Sequence, residues 1–332
     1  MSDKTRCNGT GSMLDADDVP AHTTPGSAGI MMRQLLSTPD QYRALVDQFD
    51  TFLLDMDGVL WQGSKLVPGV DRALARLRAL GKRLIFVTNN STKSRASYVQ
   101  KLESLGLYGA TPDDIVGAAY ATACYLTSIN FPKDKLVYVV GQQGVVDELT
   151  AKGFQACAGS SGALTLSSTD QSQISCSDRR LTTLQIGAVV CGFDGYLNYT
   201  KLAKAHTYLT CNPDTLFLAT NPDVCDPVGG RTFPACGAMY SPLVASTGRA
   251  PRVIGKPNAT MLDVIVRVHG LDPTRTCMVG DRLDTDVRFG LNGGCQTLLV
   301  LSGVTTEEAL LSQNAIMPHY YMASLGELQH IP

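Results

Sequence analysis

The chain has 332 residues, 44% of them hydrophobic and 17% charged, with a formal net charge of −2 at pH 7. This composition can bury a core, so global disorder is excluded, and the balanced charge excludes binding to nucleic acid through a broad basic field. No run of about 18 apolar residues occurs, so no membrane-spanning helix is expected.

Residues 1–29 are rich in Asp, Gly, Ser, Thr and Pro and read as a disordered tail. They contain no apolar signal region, and Asp15, Asp17 and Asp18 are unlike a transit peptide, so the cytoplasm is the expected compartment. The ten cysteines form no CxxC pair, and several lie in apolar runs such as Cys277-Met278-Val279, as buried free thiols do. Arg33 to Phe49 reads as a short helical lead-in broken at Pro39.

An α/β rhythm starts at Thr51. The apolar strand Thr51–Leu54 ends in Asp55-Met56-Asp57-Gly58, and Val70, Ala73, Leu74, Leu77 and Leu80 then share one helical face that Gly81 terminates. Arg83–Val87 is a strand ending in Thr88-Asn89-Asn90, and Ser94–Leu105 is a helix stopped at Gly106. The same grammar recurs at Leu136–Val140, Ile186–Val190, Leu216–Leu218, Thr276–Val279 and Thr297–Leu301. Alternating strands and helices predict a parallel sheet with its chemistry at the carboxyl ends of the strands. Residues 158–183, rich in Ser, Thr, Gly and Gln, read as a polar surface insertion.

Four runs carry chemistry. Asp55 and Asp57 can converge just past a strand end, where one carboxylate can attack phosphorus and another can move protons. Thr88-Asn89-Asn90-Ser91 offers a hydroxyl and backbone N–H groups to an anion. Lys256, fixed by Pro257, can offset the repulsion between a carboxylate and a phosphate. Asp281, Asp284 and Asp286 suit a hard cation such as Mg²⁺. Taken alone, the first three runs also read as a turn, a cap and a surface lysine; a solvated acidic turn suits Asp284 but suits Asp281 poorly, since it abuts an apolar strand.

In this order the four runs resemble the haloacid-dehalogenase superfamily. Asp55–Trp61, Gly81–Leu102, Gly255–Pro257 and Met278–Asp286 resemble its phosphoglycolate and p-nitrophenyl phosphatase branch, related to pyridoxal phosphatase, over roughly residues 45–330. The resemblance implies a Rossmann-like α/β core, residues 30–117 and 241–332, with an inserted α/β cap of the C2 type at 118–240. It implies a phosphoric monoester hydrolase in which Asp55 is the nucleophile and Asp57 the general acid/base. Mg²⁺ would sit on the Asp55 and Asp281 carboxylates and the Asp57 backbone carbonyl. Thr88, Asn89, Asn90 and Lys256 would bind phosphate, and Asp286 would orient the metal waters or Lys256. Using only its backbone on the metal leaves the Asp57 carboxyl free for proton transfer.

The implied partner is a small phosphorylated metabolite, with no nucleic acid or membrane, in a homodimer joined through the cap. Within the cap, Cys191-Gly192-Phe193-Asp194-Gly195 and Thr220-Asn221-Pro222-Asp223 echo the core motifs. They read as a decoy, because Gly192 stands where a nucleophile would. Thr220–Gly237 is the expected specificity region. Asp226-Pro227 departs from the His-Pro of the pyridoxal branch, which weighs against pyridoxal phosphate, and His206 reads as a helix-surface residue. A pyridoxal phosphate or sugar-phosphate phosphatase of the same fold, a mutase and a non-catalytic phosphometabolite-binding homodimer are the alternatives. A mutase wants a smaller cap between Asp57 and Thr88, and a scaffold need not keep Asp55, Asp57, Lys256 and Asp281. Both Asn89 and Asn90 fit the glycosylation pattern, and a sugar on the phosphate loop would block it.

Overall fold

A computed structural model of the chain describes residues 34–158, 186–228, 230–312 and 315–332. The expected 1–29 tail, and all of the 158–183 insertion except Ala158, lie outside the described residues.

The first elements are β1 (Gln34–Leu35) and α1 (Pro39–Gln48). Pro39 starts the helix rather than breaking it, since a first-turn residue needs no N–H partner. Thr38 caps the helix by accepting from Gln41 N at 3.4 Å, while its own N–H donates to Gln41 Oε1 at 3.1 Å. Then come β2 (Thr51–Leu54), the hairpin β3 (Trp61–Gln62) and β4 (Lys65–Leu66), α2 (Val70–Ala79), β5 (Arg83–Thr88), α3 (Arg95–Ser104), β6 (Ile115–Gly117) and α4 (Ala118–Ser128).

A second set follows: β7 (Leu136–Val140), α5 (Gln143–Ala151), β8 (Gln155–Ala158), β9 (Ile186–Cys191), α6 (Tyr199–Cys211), β10 (Leu216–Ala219), the hairpin β11 (Cys225–Val228) and β12 (Arg231–Pro234), α7 (Cys236–Thr247) and β13 (Arg252–Val253). The chain closes with α8 (Ala259–His269), β14 (Thr276–Gly280), α9 (Arg288–Asn292), β15 (Gln296–Val300), α10 (Glu307–Leu311) and β16 (Tyr320–Met322).

The large sheet runs β1-β16-β15-β14-β2-β5-β6, and all its pairings are parallel. Alternation sorts its residues. Phe52, Leu54, Leu84, Phe86, Cys277 and Val279 pack on one face against α1, α2 and α3. Leu53, Ile85, Val87 and Met278 pack on the other against α4 and α8. Strand order reverses between β2 and β14, the place where open parallel sheets form a crevice at the strand ends. Asp55 follows β2 there, and Asp281 follows β14.

The smaller sheet runs β13-β10-β9-β7-β8, also parallel, and fits a cap domain. Its edge strand Arg252–Val253 falls beyond the boundary expected at 240, so the chain returns to the large sheet later than the sequence suggests. A two-residue strand carries no signal of which sheet it will join. Both sheets lie within one compact unit, Met32–Pro332.

Helix α4 belongs to two cores. Its Tyr120 and Ala121 pack with the large sheet, while Ala119, Ala123 and Leu126 pack with the smaller one. Such burial on two sides suits a helix without charged side chains. Thr122, also buried, returns its hydroxyl to Ala118 O at 2.8 Å. No described helix is long and apolar enough to cross a membrane.

Candidate active site

The ends of β2, β5 and β14 and the turn after β13 bring four runs together. Lys256 Nζ donates to Asp55 Oδ1 at 2.6 Å and to Asp286 Oδ1 at 2.7 Å, and all three residues are buried. The Lys256–Pro257 peptide is cis. Carboxylate oxygens of Asp55, Asp281 and Asp286 lie within 4.8 Å of one another.

The acidic loop is shaped by a wide π-type turn, Leu283–Val287. Asp286 Oδ2 accepts from Asp281 N at 3.2 Å and Arg282 N at 3.1 Å, and Asp281 Oδ2 accepts from Val304 N at 2.7 Å. Asp286 therefore has both oxygens engaged. Among the described residues, Asp55 Oδ2 and Asp281 Oδ1 accept no hydrogen bond. Asp284 is exposed and pairs with Arg282 at 3.0 Å instead. Glycines make room: a Cβ at Gly58 or Gly303 would overlap the Asp281 carboxylate, and one at Gly280 would overlap Asp286. Gly58 also has φ +84°, which side chains resist.

The charges in this cluster do not balance. Burial pushes the Asp55 carboxyl well above the ordinary carboxylate range; Lys256 pulls it down, while Asp286 and Asp281 push it further up. Burial, reinforced by Asp286, raises Asp281 to about 7. Burial alone would lower Lys256, but Asp286 and Asp55 outweigh it and hold the ammonium charged. Three clustered carboxylates with one ammonium form an oxygen-donor set that a divalent cation would relieve, so the residues fit Mg²⁺.

Asp57 is exposed beside the β3–β4 hairpin. Its Oδ1 accepts from Trp61 Nε1 at 2.6 Å, and Lys101 Nζ lies 3.8 Å away while stacking 3.8 Å over the Trp61 ring. At the third run, Thr88 is buried and its Oγ1 accepts from Asn90 N at 3.1 Å, so an anion would compete with the hydroxyl for that N–H. Tyr98 donates to Asn90 O at 3.0 Å. Asn90 faces solvent and closes its own turn by accepting from Thr92 N at 3.0 Å.

Geometry thus unites Asp55, Lys256, Asp281 and Asp286, with Thr88, Asn89 and Asn90 on the neighbouring strand end. Trp61, Lys101 and Tyr98 are contacts that the sequence reading does not single out. DGVLW ends in a tryptophan, and α3 sets Tyr98 and Lys101 one turn apart on the helix leaving the Thr loop; these were the available signals.

Next to the smaller sheet, Asp194 is buried against Lys201 at 2.7 Å, and its other carboxylate oxygen accepts from Tyr196 N at 2.9 Å. Gly192 lets the backbone pass close to Ser91, since a Cβ there would lie 2.8 Å from Ser91 Oγ. His206 sits on α6 with Nδ1 3.0 Å from Ser246 Oγ. Asp226 lies in β11; burial raises its carboxyl, Asp223 and Asp57 raise it further, and Arg282 opposes them.

Models of two families match the chain: haloacid dehalogenase-like hydrolase over residues 52–155 and HAD-hydrolase-like over 253–328. The chain is 45% identical to phosphoglycolate phosphatase 1A, chloroplastic, of Arabidopsis thaliana, across 90% of this chain and 80% of that protein. It is 41% identical to 4-nitrophenylphosphatase of Schizosaccharomyces pombe, across 90% and 99% respectively. Among solved structures, 4-nitrophenylphosphatase from Thermotoga maritima superposes with a TM-score of 0.73 at 31% identity, covering 87% of this chain and 99% of that one. A glycerol phosphate phosphatase from Mycobacterium tuberculosis in complex with magnesium superposes with a TM-score of 0.70 at 27% identity, covering 86% and 77%.

Proposed function

The chain belongs to the haloacid dehalogenase-like hydrolases and is a phosphatase of that family, and from this premise we propose that it is a Mg²⁺-dependent hydrolase of small phosphate monoesters working through an aspartyl-phosphate on Asp55. The observation that carries the reading is the buried Lys256 ammonium between Asp55 and Asp286, with Asp281 beside them.

Asp55 Oδ2, free of protein partners among the described residues, attacks phosphorus. The P–O bond to the leaving alcohol breaks, and Asp57 gives that oxygen its proton. Asp57 then takes a proton from water, whose oxygen attacks the aspartyl-phosphate, freeing orthophosphate and restoring Asp55. Lys256 keeps Asp55 oriented and faces the transferring group with positive charge, while Asp286 fixes Lys256. The Thr88 hydroxyl and the Asn89 and Asn90 backbone hold phosphoryl oxygens. The Asp55 and Asp281 carboxylates and the Asp57 carbonyl would hold Mg²⁺, which would supply charge compensation to the phosphoryl oxygens.

Phosphoglycolate, glycerol phosphate and p-nitrophenyl phosphate are the substrate class this reading names, after the relatives. A homodimer through the cap is part of it; Tyr196 and Tyr199, 69% and 66% exposed on the smaller domain, supply apolar surface for such a contact. A reducing compartment such as the cytoplasm suits the eight described cysteines, all free.

The test is Asp55→Asn assayed on p-nitrophenyl phosphate with Mg²⁺. Hydrolysis disappears while the melting temperature stays within a few degrees of wild type; wild-type turnover in that variant would overturn the reading. A panel of kcat/KM values over phosphoglycolate, glycerol phosphate, pyridoxal phosphate and sugar phosphates then ranks the esters.

A further inference from the structure

Two runs of similar sequence face each other across the seam between the sheets. Thr88-Asn89-Asn90-Ser91 leaves β5 of the large sheet, and Thr220-Asn221-Pro222-Asp223 leaves β10 of the smaller one. Thr220 Oγ1 donates to Ser91 Oγ at 3.2 Å, and Asn221 Nδ2 donates to the main-chain oxygen of Asn89 at 2.9 Å. Asn89 Nδ2 donates in return to Asp223 Oδ2 and to Lys256 O, each at 3.0 Å. Those two acceptors fix which way the Asn89 amide points, because the flipped amide would set oxygen against oxygen.

Asn221 is buried, and its Oδ1 accepts from Asp223 N at 3.1 Å, which locks the two cap residues together. Asp223 also lies 3.9 Å from the Arg282 guanidinium, next in sequence to Asp281. Close approach here depends on Gly255, where a Cβ would lie 2.5 Å from both Thr220 O and Asn89 Oδ1. Asn89 is therefore the point where the phosphate loop, the lysine turn and the cap meet, and Asp223 extends that junction to the acidic loop.

We propose that Asn221 and Asp223 are positioning residues for the phosphate site, holding the Asn89 peptide and side chain so that the Thr88 loop stays aimed at the anion. The inference rests on the phosphatase reading above and adds that the cap is a structural part of the phosphate cradle. Asp223 does not bind the phosphate itself, since two anions repel; it acts through Asn89 and Arg282. With Asn221 or Asp223 truncated, the loop keeps its sequence but loses its aim, and a small misplacement of binding groups is costly in rate.

The experiment compares full-length wild type with Asn221→Ala, Asp223→Ala and Asp223→Asn, each with Mg²⁺. It measures the Kd of orthophosphate by calorimetry and kcat and KM for p-nitrophenyl phosphate. Both alanine variants should raise the phosphate Kd and KM together by about tenfold or more, with a smaller fall in kcat. Asp223→Asn retains an oxygen for Asn89 Nδ2 and should recover most of that loss. Unchanged phosphate Kd in the alanine variants overturns the inference, as does a fall in activity that merely follows a lower melting temperature. Should Asp223→Ala not fold, Asn221→Ser gives the same reading with a smaller change. An inactive wild type would sink the phosphatase reading separately, and the calorimetric Kd would still judge the latch.

Discussion

Lys256 reaches Asp55 across 201 positions of sequence and donates to it at 2.6 Å with both groups buried. Removing the ammonium would leave Asp55 and Asp286 without their shared partner. Lys256→Met should therefore lose at least about 100-fold in kcat/KM. It should also lower the unfolding free energy by roughly 3–5 kcal/mol, the usual cost of stranding half of a buried pair. Steady-state kinetics together with denaturant titration checks both; wild-type kcat/KM in this variant would remove Lys256 from the mechanism.

The carboxylate cluster also sets a pH dependence. Burial holds Asp55 well above, and Asp281 at about 7 against, an ordinary carboxylate. Without metal, the folded state then binds more protons than the unfolded chain between about pH 4 and 7. This contribution to stability is complete below the unfolded value and is lost as pH rises through the folded one. Metal-free protein should become less stable from pH 4 to pH 7 on account of these groups. Mg²⁺ binds their ionised forms, so it should raise the melting temperature more at pH 8 than at pH 5. Thermal melts with EDTA or with Mg²⁺ at the two pH values decide this, and equal metal shifts at both would contradict it.

Gly303 carries no side chain because the Asp281 carboxylate occupies the space its Cβ would fill. Gly303→Ala should displace Asp281 and weaken metal binding, raising the Mg²⁺ concentration needed for half-maximal activity by about tenfold. The overpacking itself costs about 1–3 kcal/mol. An unchanged Mg²⁺ requirement would show that the loop yields without moving the carboxylate.

Trp61 grips Asp57 Oδ1 at 2.6 Å, and Lys101 stacks on its ring. Trp61→Phe keeps an aromatic ring and deletes the N–H. It should lower kcat about tenfold while KM moves little, because proton delivery suffers more than binding. Asp57→Asn should lose about 10²–10⁴-fold, the range of general acid–base catalysis. A Trp61→Phe enzyme with unaltered kcat would make the indole N–H dispensable.

Much of this was legible in the chain. The continuous apolar runs Phe52-Leu53-Leu54 and Leu84-Ile85-Phe86 mark strands buried on both faces, Thr88 ends its strand, and Asp55, Lys256 and Asp281 each stand just past one. The motifs predict a common site because a parallel sheet has one chemical edge. Partners set by tertiary approach were not legible. Asp223 meets Asn89 across 134 positions, and nothing local in Asn221-Pro222-Asp223 separates a latch from a turn. Strand Arg252–Val253 is too short to announce its sheet. Pro39 misled for a local reason: the same ring that breaks a helix interior begins a helix well when a capping box precedes it.

Helix α4 gives Tyr120 and Ala121 to one sheet and Ala119, Ala123 and Leu126 to the other. It is a party wall, and neither room can be moved off it without opening the other to water. Any shift of the smaller sheet against the larger one must therefore carry α4 with it or repack one of its two faces.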